Sequence, residues 1–589
     1  MTTISLLPVE IEHEGPDAAS IKLIKWNKTL LKNAVVNHKL ENRSASLAPD
    51  PFIFNNFESN LPGEGTPPDN TLAISNTGII VSAINSNINY YDTDGTRLFK
   101  STFYDFFNDA DLTAKLYDPQ VIYDSGEDRF IFVALHGSHT SNSKVLVSFS
   151  KTNDPRDGWY IYYFPILSIN STFTSKWFDY PKIGVSKEEL FITGNIFKND
   201  EGGYTESIIL QIDKLAGYKG NTLNWQTWNN VMDARGNNAF SLFPLTWGQQ
   251  GNYGPGMYFI SNKSGGNSSS VFLFDLTNTL GNNPELKSYS VATTNYELAG
   301  DATQKNMTTI DAGLLDIGDC RIQNGFFQIS NGKGIIHFVF HSDYSQGYNG
   351  INYNRLDMSV MKNTSKVYGS TAIDYSYPAI ASAAPNGSHD RDVMIGFLAS
   401  SADYYPEIRV VYCDHDMNFS NPLTIKSGDN FVDILHGDER WGDYIGIARK
   451  HNTSAPRIWI SGCYGANIKD ASKFPPVMIN NVYRTFIAEV SDNMITDIQE
   501  KKDENTAFEI FPVPAHDLMN LRFKLNSPST ISVVVYNLQG QVVKVLFEDK
   551  CNKGLLTLQF NKLALVAGSY VLQVKNDFSN LYSEKFIVY

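Results

Sequence analysis

Cysteine is scarce in this chain. Its 589 residues include four, Cys320, Cys413, Cys463 and Cys551, with no two close together. That spacing excludes a zinc ribbon or a dithiol redox motif, both of which need CxxC-like pairs. It also excludes a disulfide framework, so isolated buried thiols are the expectation and one or two bridges stay open. Charge is sparse as well, at 19% of residues, and no dense basic run occurs. Asp and Glu (62) outnumber Lys and Arg (48), for a formal charge of −14. An acidic chain without clustered Lys and Arg cannot neutralise phosphates, which excludes a nucleic-acid binder. The same lack excludes a polybasic membrane anchor. No stretch reaches the roughly 20 apolar residues that span a bilayer, so no transmembrane segment is expected. The first residues, Met1–Glu10, hold neither a basic n-region nor an apolar h-region. Either the protein is not exported or its signal has already been removed.

What the chain does have is apolar (42%) and aromatic (13%) residues, enough for a folded core. Helical periodicity is nearly absent. Runs such as Ile79-Ile-Val-Ser-Ala-Ile, Arg129-Phe-Ile-Phe-Val-Ala-Leu and Lys144-Val-Leu-Val-Ser-Phe-Ser are strand-length, β-branched and aromatic. Gly, Asn, Asp and Ser clusters bound them, which is an all-β pattern. A weak repeat sharpens it: Tyr117-Asp-Pro-Gln-Val-Ile, Asp179-Tyr-Pro-Lys-Ile-Gly-Val and Tyr377-Pro-Ala-Ile each set a proline before a short apolar run. Proline suits a strand's first residue, where no ladder donor is needed. Pro119 and Pro181 lie roughly 60 residues apart, and Pro378 follows after about three more such periods, a propeller-blade spacing. About 440 residues at that period give about seven blades.

The expected architecture is therefore all-β. An N-terminal extended arm (1–58) precedes a β-propeller of about seven blades (59–491). A charged linker follows (492–505), containing Asp497-Ile-Gln-Glu-Lys-Lys-Asp-Glu-Asn, and then a small C-terminal β-sandwich (506–589). In the last of these, Leu521-Arg-Phe-Lys-Leu, Ile531-Ser-Val-Val-Val-Tyr and Tyr570-Val-Leu-Gln-Val alternate as half-buried strands do.

The tail also carries the most specific words in the chain. Phe511-Pro512-Val-Pro514-Ala-His-Asp opens it, Val535-Tyr536-Asn-Leu-Gln-Gly540 sits mid-way, Gly568-Ser-Tyr570-Val-Leu follows, and Lys585-Phe-Ile-Val ends it. In this order they resemble the C-terminal sorting domain of type IX secretion cargo in Bacteroidota, with Val513 in place of the usual Asn between the prolines. The resemblance implies export across the outer membrane by that translocon, then release or attachment at the cell surface. It further implies an N-terminal export signal.

The body resembles, more loosely, exported sialidase-like propellers. The words behind this are Pro67-Pro-Asp-Asn, Asp118-Pro-Gln-Val-Ile-Tyr-Asp, Thr152-Asn-Asp-Pro-Arg-Asp-Gly-Trp159, Asp179-Tyr-Pro-Lys and Arg440-Trp441-Gly-Asp443-Tyr444. Propeller glycosidases set carboxylates from several blades around the channel. On that footing the catalytic candidates are Glu439 and Asp443, with Arg440 for an anion and Asp69, Asp118 and Asp179 as further carboxylates. Arg440, Trp441, Tyr444, Asp118 and Asp179 are the ligand-binding candidates, Trp441 as a saccharide platform. Against catalysis, Asp118 and Asp179 are natural Asx turns at strand starts. Calcium is the cofactor left open, at the 440–444 loop; Tyr91-Asp-Thr-Asp-Gly-Thr96 opens like a calcium loop but lacks the later Glu and reads better as a hairpin turn. His136-Gly-Ser-His139 is too isolated for a metal site. A binder of extracellular glycan or glycoprotein is the first expectation, a propeller hydrolase the second, and a structural surface component the third.

Overall fold

The computed structural model describes residues 15–34, 48–62, 66–199, 203–307, 313–453, 455–470, 477–492, 509–511, 518–525, 528–537, 541–561, 565–566, 568–575 and 580–588. It divides into two compact units, Met1–Asn493 and Met494–Tyr589. The expected linker, 492–505, lies outside the described residues except for Asp492.

The first unit holds seven four-stranded antiparallel sheets in chain order. Six run through consecutive strands. They begin with Thr71–Ile74, Leu116–Asp124, Lys176–Val185, Phe243–Pro244, Asn324–Ser330 and Asp374–Ser382. The seventh starts at Gly446–Lys450, continues through Arg457–Asp470 and Val477–Ser491, and takes its fourth strand from Phe52–Glu58, four hundred residues earlier in the chain. The first strand of each sheet touches the first strand of the next, and Gly446–Lys450 touches Thr71–Ile74 in turn.

A separate apolar cluster fills the space between each neighbouring pair. Phe191, Ile209, Phe259 and Phe274, for example, join the third and fourth sheets. Leu72, Ile80, Trp459 and Ile487 join the first and seventh. Middle strands are therefore covered on both faces, as with Val393–Ser400, buried at every position. This is why their sequences read as continuous apolar runs rather than alternating ones.

The repeated proline words do not start strands. Pro119, Pro181 and Pro378 lie inside the first strands of the second, third and sixth sheets, each within a β-bulge. The register slips between Tyr117 and Gln120, between Asp179 and Lys182, and between Ser376 and Ala379. The residue before each proline is left-handed: Asp118 at φ 49°, Tyr180 at 55° and Tyr377 at 51°. A bulge leaves a residue out of the ladder, so proline's missing N–H costs nothing there, and the kink re-aims the neighbouring side chains.

The N-terminal stretch is not an extended arm throughout. Ala18–Ala34 is a 17-residue helix. Its polar side faces inward: Lys25 pairs with Asp301 at 2.7 Å and with Asp316, Lys28 with Glu297 and Asp343, and Lys32 with Asp374 at 2.8 Å. Thr29 and Lys32 are buried, whereas Leu23, Trp26, Leu30 and Leu31 are exposed. Apolar periodicity reads the buried face from the apolar residues, so it points the wrong way here. Lys32 also donates to the carbonyls of Gly300 and Asp301. Removing one member of a buried pair costs about 3–5 kcal/mol, because the other charge stays buried. Lys32→Met is therefore expected to release the helix rather than unfold the sheets. Limited proteolysis with mass spectrometry should show new cleavage within 18–34 and little change elsewhere.

The second unit pairs a three-stranded sheet (Glu509–Phe511, Leu518–Leu525, Gly554–Asn561) with a four-stranded one (Ser529–Tyr536, Val542–Cys551, Gly568–Lys575, Asn580–Val588). They share one core, with Met519, Leu521 and Phe523 from one sheet and Ile531, Val533, Leu572 and Phe586 from the other. All four cysteines are free thiols, three of them buried.

Candidate functional site

Charged residues from distant parts of the chain meet where first strands of the sheets begin. Carboxylate oxygens of Asp69, Asp118 and Asp443 all lie within 4.8 Å of one another, although Asp118 is in the first strand of the second sheet while Asp69 and Asp443 sit in the segments just ahead of the first strands of the first and seventh. Asp69 and Asp118 are buried and both adopt left-handed backbone. Asn85 ties them together, its amide donating to Asp69 Oδ2 at 2.6 Å and its carbonyl accepting from the Asp118 N–H. The Asp443 N–H donates to Asp69 Oδ1 at 2.7 Å. Arg440 grips both Asp443 oxygens at 2.8 Å. The Tyr180 N–H donates to Asp118, its hydroxyl to the Asp443 carbonyl, and the Tyr444 hydroxyl to the Pro119 carbonyl. An oxygen-only trio of this kind suits a hard cation, and these are the residues among those described that could hold calcium.

Beside the trio sits Lys182, only 4% exposed. Its ammonium lies 3.7 Å from the centre of the Tyr444 ring and 4.4 Å from that of Tyr180. It makes no hydrogen bond or ion pair among the described residues. Burial pulls its pKa down to about 7, against the opposing pull of Asp118, Asp443 and Asp69. Arg321 stacks over Tyr180 and is locked by Asp319 through two hydrogen bonds of 2.7–2.8 Å.

Lys182 and Tyr444 also form part of the wall of a cavity of about 180 Å³. First-strand residues of all seven sheets line it, including Ala73, Val121, Ile183, Pro244, Gly325, Ile380 and Ile447.

Several residues singled out in the sequence take other places. Trp441 is fully buried, edge-on to Tyr377, and offers no face to a saccharide. Glu439 is also fully buried and accepts from the Leu435 N–H at 2.7 Å. Burial raises its pKa to about 7, and the charges that act on it are Asp433 and His436 rather than the trio. Asp179 stands at the bulge of the third sheet, opposite Asn195, and is not one of the trio. Asp118, Arg440, Asp443 and Tyr444 do come together, with Asp69. Lys182, Tyr180, Arg321 and Asn85 escaped the sequence reading. The available signal was a lysine directly after a proline word, inside an otherwise apolar run.

Elsewhere the motifs are structural. Asp92 accepts from the N–H groups of Asp94 and Thr96 in a hairpin turn. His136 binds the backbone of Ala114 and Asn142. Asp154 caps a short 3-10 turn at Pro155–Asp157.

Residues 509–589 match the family described as secretion system C-terminal sorting domain. The chain is a cargo protein of the type IX secretion system. It is exported, and is secreted or attached to the cell surface. No helix among the described residues is long and apolar enough to cross a membrane. Within the sorting domain, Tyr570 packs against Phe586 and donates to the Val566 carbonyl at 2.7 Å, and Lys575 donates to the Tyr536 hydroxyl. Gly568 pairs with Val588 and Lys585 with Val571 in the last sheet. Pro512, Pro514 and Gly540 lie outside the described residues.

No curated protein matches the chain. Among solved structures, a variant of the Synechocystis apocarotenoid oxygenase is 9% identical, over 61% of this chain and 71% of that one, with a TM-score of 0.34. A Dyadobacter fermentans protein of unknown function is 8% identical, over 75% and 99%, at 0.30. A glycoside hydrolase is 13% identical, over 54% and 88%, at 0.23. Likenesses this weak bear on neither activity nor ligand.

Proposed function

We infer that the seven sheets are the blades of a propeller, and that the cargo protein binds an extracellular glycan or glycoprotein at the mouth of its central channel. One observation carries this reading. Charged side chains from distant parts of the chain converge beside a cavity that the first strand of every sheet lines, as convergent polar groups do at ligand sites. Binding is favoured over sialidase-type hydrolysis because Arg321 and Arg440, the arginines placed to hold a substrate carboxylate, are each occupied by an aspartate. Glu439, buried away from the trio, is a poor partner for Asp443 in acid–base work.

A glycan array with the intact chain, paired with a hydrolysis screen, tests this. Specific glycan binding without turnover is expected, weakened about tenfold or more by Asp443→Asn, since a hydrogen bond to a charged group contributes about 1.5–3 kcal/mol. Turnover abolished by that substitution would instead establish a hydrolase. A blank array with no turnover removes both readings.

A further inference from the structure

Two cations line the central cavity. Among its described wall residues the charged ones are Lys182 and Arg449, and none is Asp or Glu. Lys182 has the aspartate trio close by, whereas Arg449 has no such company. Arg449 is 5% exposed and makes no ion pair among the described residues. Its Nη1 donates to the Ser382 carbonyl and hydroxyl and to the Ala384 carbonyl, and its Nη2 to the Asn386 side-chain oxygen at 2.8 Å. Nε is buried with no hydrogen bond. Burial alone acts on the pKa of this guanidinium, lowering it to about 10, so no carboxylate stands near enough to oppose that. A cation taken out of water without a counter-charge is costly, and arginines are seldom buried unpaired. Two other arginines show what the empty edge can hold. In Arg321 and Arg156 the Nε–Nη2 edge grips an aspartate, Asp319 and Asp154 respectively. In Arg449 the same two nitrogens meet only the neutral Asn386 oxygen.

The geometry points to Arg449 as the anchor of a carboxylate-binding site in this cavity, at the end away from the trio. A carboxylate there accepts from Nε and Nη2, the planar fork that matches its two oxygens, and supplies the missing counter-charge. The trio stands where first strands begin, but Arg449 is the last residue but one of its own first strand, Gly446–Lys450. Lining residues that follow the ends of first strands, Ser125, Trp247, Asn252 and His451, are half-buried, which leaves a way in from solvent. Asp124, which ends one first strand, is already paired with Lys214 and does not compete for the arginine. The site goes beyond the glycan reading and does not need it. What is recognised is the carboxylate, borne by a sugar or by a plain organic acid.

The test is calorimetric titration of the intact chain with glucuronate, propionate and glucose at constant ionic strength, using wild type, Arg449→Gln and Arg449→Lys. Both carboxylates should bind wild type at least about tenfold more tightly than glucose does. They should also raise its melting midpoint, because a ligand of the native state alone stabilises that state. Arg449→Gln should weaken both about tenfold or more, the size of a lost hydrogen bond to a charged group. Arg449→Lys keeps the charge without the planar fork and should fall between. Glucuronate binding more tightly than propionate assigns the carboxylate to a sugar, and equal affinities assign it to any small acid; both support the site. Glucose binding as tightly as glucuronate overturns the proposal, as do wild type binding neither carboxylate, or unchanged affinity in Arg449→Gln. Should Arg449→Gln not fold, the wild-type preference and the Arg449→Lys loss decide alone. An arginine that only clips the sixth and seventh sheets would show no carboxylate preference in wild type, which removes the site. A blank glycan array with carboxylate binding intact removes only the glycan reading. A positive array with Arg449→Gln binding carboxylates normally removes only this site.

Discussion

Cutting the chain after Asn493 is expected to abolish its appearance outside the cell and leave it in the periplasm. The removed residues form a compact unit with its own core, built from Met519, Leu521, Phe523, Ile531, Val533 and Phe586. The seven sheets draw none of their strands from it. The truncated protein should therefore keep its circular dichroism and melting behaviour, which separates an export defect from misfolding. Cell fractionation with immunoblotting reads the result. The converse experiment fuses residues 494–589 to an unrelated periplasmic protein, which should then reach the medium or the cell surface. Normal secretion of the truncated chain would show that the sorting domain is dispensable.

Asp124→Ala is expected to cost the first unit about 3–5 kcal/mol, the usual penalty for stranding one member of a buried ion pair. Asp124 ends the first strand of the second sheet, whose bulge at the other end carries Asp118. Its carboxylate accepts from Lys214 at 2.6 Å, from the Tyr218 hydroxyl at 2.7 Å, and from Asn252. Lys214 follows the third strand of the third sheet, and Asn252 precedes the second strand of the fourth, so one carboxylate joins three sheets. Asp124 and Lys214 are both fully buried, and the lysine also donates to the Ser186 carbonyl. Unlike Lys32, on a surface helix that can lift away, Lys214 has no low-cost route to water. Urea denaturation should show the loss as a lower midpoint. The double variant Asp124→Ala, Lys214→Met should recover part of it, because the orphaned charge is gone. A double variant no more stable than Asp124→Ala would mean that the hydrogen bonds from Tyr218 and Asn252, rather than the charge, hold the sheets.

The same contrast explains what could be read from the residues. Strand runs such as Arg129–His136 were legible because burial on both faces selects continuous β-branched and aromatic sequence. The proline words were legible as a repeat, but their bulges were not, because a bulge is defined by the partner strand's register. The helix at Ala18–Ala34 escaped because it buries lysines against acids contributed by residues nearly three hundred positions away. Trp441 invited a sugar-platform reading from its neighbours in sequence, yet its neighbours in space place it in the core against Tyr377.

By itself, then, the sequence determined the all-β class, the repeat behind the seven sheets and the export route, since each depends on local patterning or on contiguous motifs. Only the tertiary structure decided which charged residues meet. Asp69, Asp118, Lys182 and Asp443 span more than 370 positions, and what brings them together is the return of each sheet's first strand to a shared cavity. A few ångströms of packing also decided which acids stay buried as structural anchors, like Asp124 and Glu439, and which stand near a lysine whose ammonium lies against two tyrosine rings. Charge and spacing along the chain carry no record of that difference, because desolvation and pairing depend on neighbours in space.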